Sequence, residues 1–173
     1  MTDVLNTTNQ FMNKSLKKLA ELDLSQFDTE DLEIYDHPEY YFYSIKDNSI
    51  VISGTKQNIN FEDKINIENG SNEMEWSINE CDVNIFQLKN KEPLLCLYNG
   101  IKIVDRWKND LKKYFPDLKF VFLLNYQDDD DAEIATFRFE VIRENQSSII
   151  LSLLDSIDNS KSDEKIGLLI DLV

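Results

Sequence analysis

Three observations predict an α+β fold, a single domain over residues 1–173 with a mainly antiparallel sheet of six or more strands. Apolar residues recur at helical spacing near the start. From residue 40 onward the apolar period shortens towards two. Helical spacing then returns in two later segments, which places a central helix and a C-terminal helix against the strands.

The first element is an N-terminal helix over 3–21. Val4, Leu5, Thr8, Phe11, Met12, Leu16 and Leu19 form one stripe, with Lys14, Lys17 and Lys18 off it. Thr2 or Asp3 is the expected cap, and the late lysines suit the carbonyl end of the helix dipole. Residues 21–39 then carry eight carboxylates and no Lys or Arg. Interleaved Phe27, Leu32, Ile34 and Tyr35 give this stretch something to bury, with a short helix expected from Thr29. The Asp36-His37-Pro38 step ends it, because the residue before proline avoids the α region.

Between Tyr40 and Tyr98 an antiparallel meander of four to six strands is expected. Residues 40–45 and 49–53 flank Lys46-Asp47-Asn48 as a hairpin. Met74, Trp76, Ile78, Val83, Ile85, Phe86 and Leu88 alternate with polar residues, and Asn69-Gly70 signals a turn. Leu94-Leu95-Cys96-Leu97-Tyr98 reads as a strand ending at Asn99-Gly100. A helix over 101–115 follows, its stripe containing Val104, Trp107 and Leu111, and Pro116 closes it. Trp107 and Leu111 are expected against the sheet. Strands at 120–124 and 134–142 flank the acidic loop Asp128-Asp129-Asp130-Asp131. A helix over 148–158 comes next, and the tail from Ile166 fits a strand or a helix equally.

Composition narrows the function. The chain has 173 residues, with 33 acidic and 18 basic side chains, a formal charge of −15 and one histidine. Such a balance disfavours a phosphate-binding surface or adsorption to anionic lipid, both of which rest on Lys and Arg. No apolar run approaches a membrane span of about 20 residues, and Met1-Thr2-Asp3-Val4-Leu5 lacks the pattern of a secretory signal. Cys81 and Cys96 cannot make a disulfide framework and read as reduced thiols of a cytoplasmic protein.

Catalytic machinery is not evident. Two-histidine zinc motifs need more than His37, and the cysteines lack the paired spacing of a metal site. A Cys–His nucleophile would have to use His37, which reads better as a turn residue beside a carboxylate. The four glycines are isolated, so no phosphate-cradling loop can be drawn. Asp128–Asp131 does not follow the ligand order of a calcium loop. Two triplets, Asp117-Leu118-Lys119 and Asp163-Glu164-Lys165, fit the D/E-x-K pattern of metal-dependent nucleases, with Asp105 or Asp110 upstream. Such a short pattern arises readily in a chain that is 29% charged. The expectation is a protein without enzymatic activity, cofactor or metal.

The excess charge instead suggests a surface steered to a basic protein, since opposed fields speed encounter and reject wrong partners. The candidate partner-binding residues are Asp28, Glu30, Asp31, Glu33, Asp36, Glu39 and Tyr40, with Asp128, Asp129, Asp130 and Asp131 as a second set. The chain resembles, as a class, the small acidic immunity proteins of bacterial polymorphic-toxin and contact-dependent inhibition systems. The features that carry the resemblance are the length, the Asn-, Ile- and Lys-rich composition and the layout from Trp107 to Arg143. That layout runs helix, Lys113-Tyr114-Phe115-Pro116, hydrophobic strand, acidic loop, strand Thr136 to Arg143. The resemblance implies binding to a cognate toxin domain, often a basic nuclease, and occlusion of its active site or substrate surface. An acidic nucleic-acid mimic of phage type, inhibiting a host defence enzyme, would share the charge pattern.

Overall fold

The computed structural model describes residues 6–54, 67–127, 134–153 and 166–173. Strand β1 (Asn6–Thr8) precedes helix α1 (Gln10–Glu21), followed by the short helix α2 (Thr29–Leu32) and the hairpin β2 (Tyr43–Lys46) and β3 (Ser49–Ile52). Helix α3 (Asn72–Ile78) runs into β4 (Cys81–Asn84), and the long helix α4 (Pro93–Tyr114) follows. Strands β5 (Phe120–Gln127) and β6 (Ile134–Val141), helix α5 (Ile149–Ser152) and strand β7 (Ile166–Leu172) complete the chain.

The expected sheet of six or more strands is overturned. Among the described residues the strands divide into a five-stranded antiparallel sheet, ordered β1-β7-β5-β6-β4, and the separate hairpin β2-β3. Two segments expected as strands are helical. In α3 the buried positions are Asn72 and Glu75, with Asn79 buried at its C-cap. Its helical period is therefore carried by polar residues, which an apolar template does not count. Leu94–Tyr98 belongs to α4, opened by Glu92 as N-cap and Pro93 in the first turn, where proline's missing N–H costs nothing.

The N-terminal expectation also changes. Residues 6–8 pair with β7, and α1 begins only at Gln10. Asn9 caps it, its Oδ1 accepting from Met12 N at 2.9 Å and from Leu168 N at 3.2 Å. One side chain thus joins helix start to strand end. The expected helix over 148–158 appears as Ile149–Ser152, and residues 154–158 lie outside the described set. The tail is a strand, paired between β1 and β5.

Helix α4 lies across one face of the large sheet. Trp107 and Leu111 are fully buried, the indole packing edge-on against Phe137 and Phe139 at centroid distances of 5.2 and 5.1 Å. Gly100 marks the closest approach, since a Cβ there would stand 3.0 Å from both Ala135 Cβ and Leu124 Cδ1. Mid-helix glycine costs about 1 kcal/mol against alanine, so proximity to the sheet explains it, not a turn. On the opposite face Val121, Leu123, Ile150 and Ile170 form a smaller cluster with Trp76 against it. Strand β5 is thus covered on both sides, and its near-continuous apolar run follows.

The hairpin turns through Asp47 and Asn48, with φ of 47° and 61°. Both positive values suit a two-residue type I′ turn, for which Asn and Asp are favoured. Helix α3 lies between the hairpin and the upper edge of β6, and its polar side chains replace a β ladder. Glu75 Oε1 accepts from Ile50 N at 3.1 Å, and Oε2 accepts from Val141 N at 2.8 Å. Asn79 Nδ2 donates to Ile50 O at 2.9 Å and to Phe139 O at 3.3 Å, while Oδ1 accepts from Ile52 N at 3.0 Å. Arg143 completes the network. Its guanidinium meets both oxygens of the buried Glu75 at 2.6 and 2.9 Å and donates to Ile67 O at 2.9 Å and to Asn72 Oδ1. A Cβ on Gly70 would stand 2.2 Å from Asn48 O and 2.6 Å from Arg143 Nη2, which is why the Asn69-Gly70 turn ends in glycine.

Glu140 is fully buried on the smaller-cluster side. Its Oε2 accepts from Ser148 Oγ at 2.8 Å and Ile149 N at 3.0 Å, while Oε1 has no partner among the described residues. Burial raises its pKa above the ordinary 4.5 despite those bonds, with Glu75 adding to the rise. Below 4.5 the group is protonated whether folded or unfolded, and its stabilising contribution is fully present. As pH rises through the elevated folded-state value the charged carboxylate must stay buried, and that contribution is lost. Glu140→Gln should therefore gain stability relative to wild type as pH is raised from below 4.5 to 7, read by urea denaturation at each pH. A constant difference across that range would show that Glu140 ionises without penalty.

Candidate partner-binding surface

The acidic stretch is a ledge fixed from beneath by Asp31, by Tyr40 at its end, and by Asn99 and one indole of α4. Asp31 is buried, its Oδ1 accepting from Lys89 N at 2.7 Å and its Oδ2 from Asn90 N at 3.2 Å. Asn99, also buried on α4, donates to Asp31 O at 2.8 Å and accepts from Tyr35 N at 3.3 Å. Tyr40 is buried as well; its hydroxyl donates to Asp82 O at 3.1 Å and accepts from Gln87 Nε2 at 3.2 Å. Trp107 Nε1 donates to Tyr40 O. Burial pushes the Tyr40 phenol pKa up, and nearby Glu39 and Asp82 push it further.

These contacts divide the predicted residues. Asp31 and Tyr40 hold the ledge in place, and neither is available as surface. Asp28, Glu30, Glu33, Asp36 and Glu39 are exposed. Glu30 meets Lys89 Nζ at 2.7 Å and raises that ammonium above its ordinary value of 10.5. Asp36 meets Arg106 Nη1 at 2.6 Å, and the guanidinium lies 3.7 Å over the Tyr41 ring. Among the described residues no ion pair holds Asp28 or Glu33. Asp128, Asp129, Asp130 and Asp131 lie outside the described residues.

The candidate catalytic groups are scattered. His37, extended and exposed before Pro38, stands 3.9 Å from Glu39. The Cys81 thiol is pushed up to about 12 by burial and by Asp82 and Glu39, so thiolate is scarce at neutral pH. Cys96 is fully buried in α4. Asp110 receives the Tyr43 hydroxyl at 3.4 Å and lies 3.7 Å from Arg106 Nε. Asp163-Glu164-Lys165 lies outside the described residues, and Asp117-Leu118-Lys119 follows the end of α4. Among the described residues no three His, Cys, Asp or Glu side chains are placed to share a metal ion, and no helix is long and apolar enough to cross a membrane.

One surface residue escaped the sequence reading. Phe86, expected within a strand, sits in the 3-10 turn Ile85–Gln87 and is 72% exposed. The adjacency of Ile85 and Phe86 was the available signal, since consecutive residues on an extended chain cannot both face the core. The turn is tied to the ledge through the Gln87–Tyr40 bond. No protein-family model matches the chain, and neither a curated protein nor a solved structure matches it.

Proposed function

We propose that this chain is an immunity-type inhibitor, which binds a basic toxin domain through the 28–39 ledge and occludes its active site or substrate surface. The observation that supports this most is the pairing of exposed carboxylates with a buried polar underside. Asp28, Glu30, Glu33, Asp36 and Glu39 project from a segment that Asp31, Asn99, Tyr40 and Trp107 hold against α4. A solvating tail needs no such foundation. Preorganised charge, by contrast, steers encounter and loses little entropy on binding. A cytoplasmic location with both thiols reduced accompanies the reading.

The test begins with the basic protein recovered together with this chain from its native cells. Amide replacement at Asp28, Glu30, Glu33, Asp36 and Glu39 should slow association about tenfold or more at low ionic strength. Raising salt to about 0.15 M, where the Debye length is roughly 8 Å, should close most of that gap. Dissociation should change less. An association rate that ignores both the amides and the salt refutes the acidic face, and recovery of a metabolic enzyme's substrate in place of a protein refutes the inhibitor.

A further inference from the structure

We infer that Phe86 is the apolar anchor of this interface, and that the partner offers a hydrophobic pocket bordered by Lys and Arg side chains. The inference rests on the inhibitor reading above and adds the chemistry of the contact. Phe86 and Tyr114 are the exposed large hydrophobic side chains among the described residues, and Phe86 is the more exposed, at 72% against 37%. Leaving a Phe in water forgoes the stabilisation of burying it, so the way it is held matters.

The turn beneath the ring is built to stay in place. Asn84 Oδ1 accepts from Phe86 N at 3.0 Å, and Gln87 Oε1 accepts from Asn84 N at 2.8 Å. Leu88 N donates to Ile85 O at 3.2 Å, and Leu88 itself is fully buried. Lys91 Nζ donates to Ile85 O at 3.1 Å and to Phe86 O at 3.2 Å, closing the turn's carbonyls. The backbone around the ring is therefore ordered before any partner arrives, which removes much of the entropy cost of docking an aromatic anchor. Two groups of β4 that a partner strand would use are also taken, Asp82 O by Tyr40 and Asn84 N by Gln87, which disfavours strand addition there.

Charge selects the occupant. Asp82 and Glu39 are exposed, and Tyr40, the residue after Glu39, donates its hydroxyl to Asp82 O. The segment that carries Asp28, Glu30 and Glu33 meets the chain just after Phe86 through the Asp31–Lys89 contact. Against these stand Lys89, paired with Glu30, and Lys91. A second copy of this chain would bring carboxylates against carboxylates on a molecule of formal charge −15, whereas a basic rim around an apolar socket satisfies ring and carboxylates together.

A photo-crosslinking amino acid, benzoylphenylalanine, is placed at position 86 and, separately, at Lys17, exposed on α1, the helix that packs by β7, three strands away from β4 in the sheet. In native cells, position 86 should capture one basic protein that position 17 does not. With that protein purified, Phe86→Ala should weaken binding tenfold or more, chiefly through faster dissociation, with an unchanged denaturation midpoint. Phe86→Leu, which keeps an apolar plug, should restore most of the affinity. Equal capture from both positions, no capture from either, or a loss under twofold for Phe86→Ala overturns the anchor. If that small loss coincides with slowed association in the amide variants, the anchor fails and the acidic face stands; if the amides also change nothing, both fail.

Discussion

Glu75→Gln should destabilise the fold by about 3–5 kcal/mol, the usual cost of removing one partner from a buried ion pair. Both side chains of the Glu75–Arg143 pair are 0% exposed. The carboxylate also accepts from Ile50 N and Val141 N, so it joins the hairpin to the large sheet where no strand does. The amide would leave the Arg143 charge uncompensated and present an N–H₂ group to a backbone N–H. A urea denaturation midpoint measures the effect. Arg143→Met alone should be comparably costly, and the double variant should lose less than the two single losses added, because the unpaired charge is then gone. A single-variant cost below about 1 kcal/mol would mean that water reaches this site and that the hairpin is held by its apolar contacts alone.

Trp107→Ala should cost a similar 3–5 kcal/mol, the range for deleting a large buried aromatic. Here stability and the proposed function meet on one side chain. The indole packs on Phe137 and Phe139 of the sheet, and its N–H holds the Tyr40 carbonyl at the end of the acidic ledge. Trp107→Phe separates the two roles. It keeps most of the packing and loses the hydrogen bond, so a cost of about 1–3 kcal/mol is expected from the stranded carbonyl. Amide exchange at Tyr41 and Phe42, whose N–H groups close the turn at Pro38 O, should quicken in that variant while exchange in β5 stays slow. Equal protection in both regions would show that Tyr40 is held by its phenol bonds without help from α4.

Much of the local structure was legible because single segments carry their own signals. The Trp107–Leu111 stripe, the strands around 120–124 and 134–142 and the Asp47-Asn48 turn all announce themselves through period or φ preference. His37 likewise takes the extended conformation that a following proline requires. The exposed carboxylates of the ledge were visible as charge without counterparts. Which of the acidic residues face water was not. Asp31 lies one place from Glu30 and two from Glu33 at a single turn of helix, and only its meeting with Lys89 N and Asn90 N shows that it points inward.

The amino-acid sequence by itself determined which segments carry apolar stripes, where the chain turns, and that the molecule is strongly anionic. These depend on residues a few places apart. Only the tertiary structure decided that Glu75 and Asn79 bind two strand edges, that Asn99-Gly100 lies inside a helix, and that Phe86 stands in water. The first two depend on neighbours distant along the chain. Polar side chains are buried when such a neighbour satisfies them, and glycine is required inside a helix when another backbone or side chain comes close. Neither condition is written in local periodicity, because the deciding partner arrives only when the chain has folded.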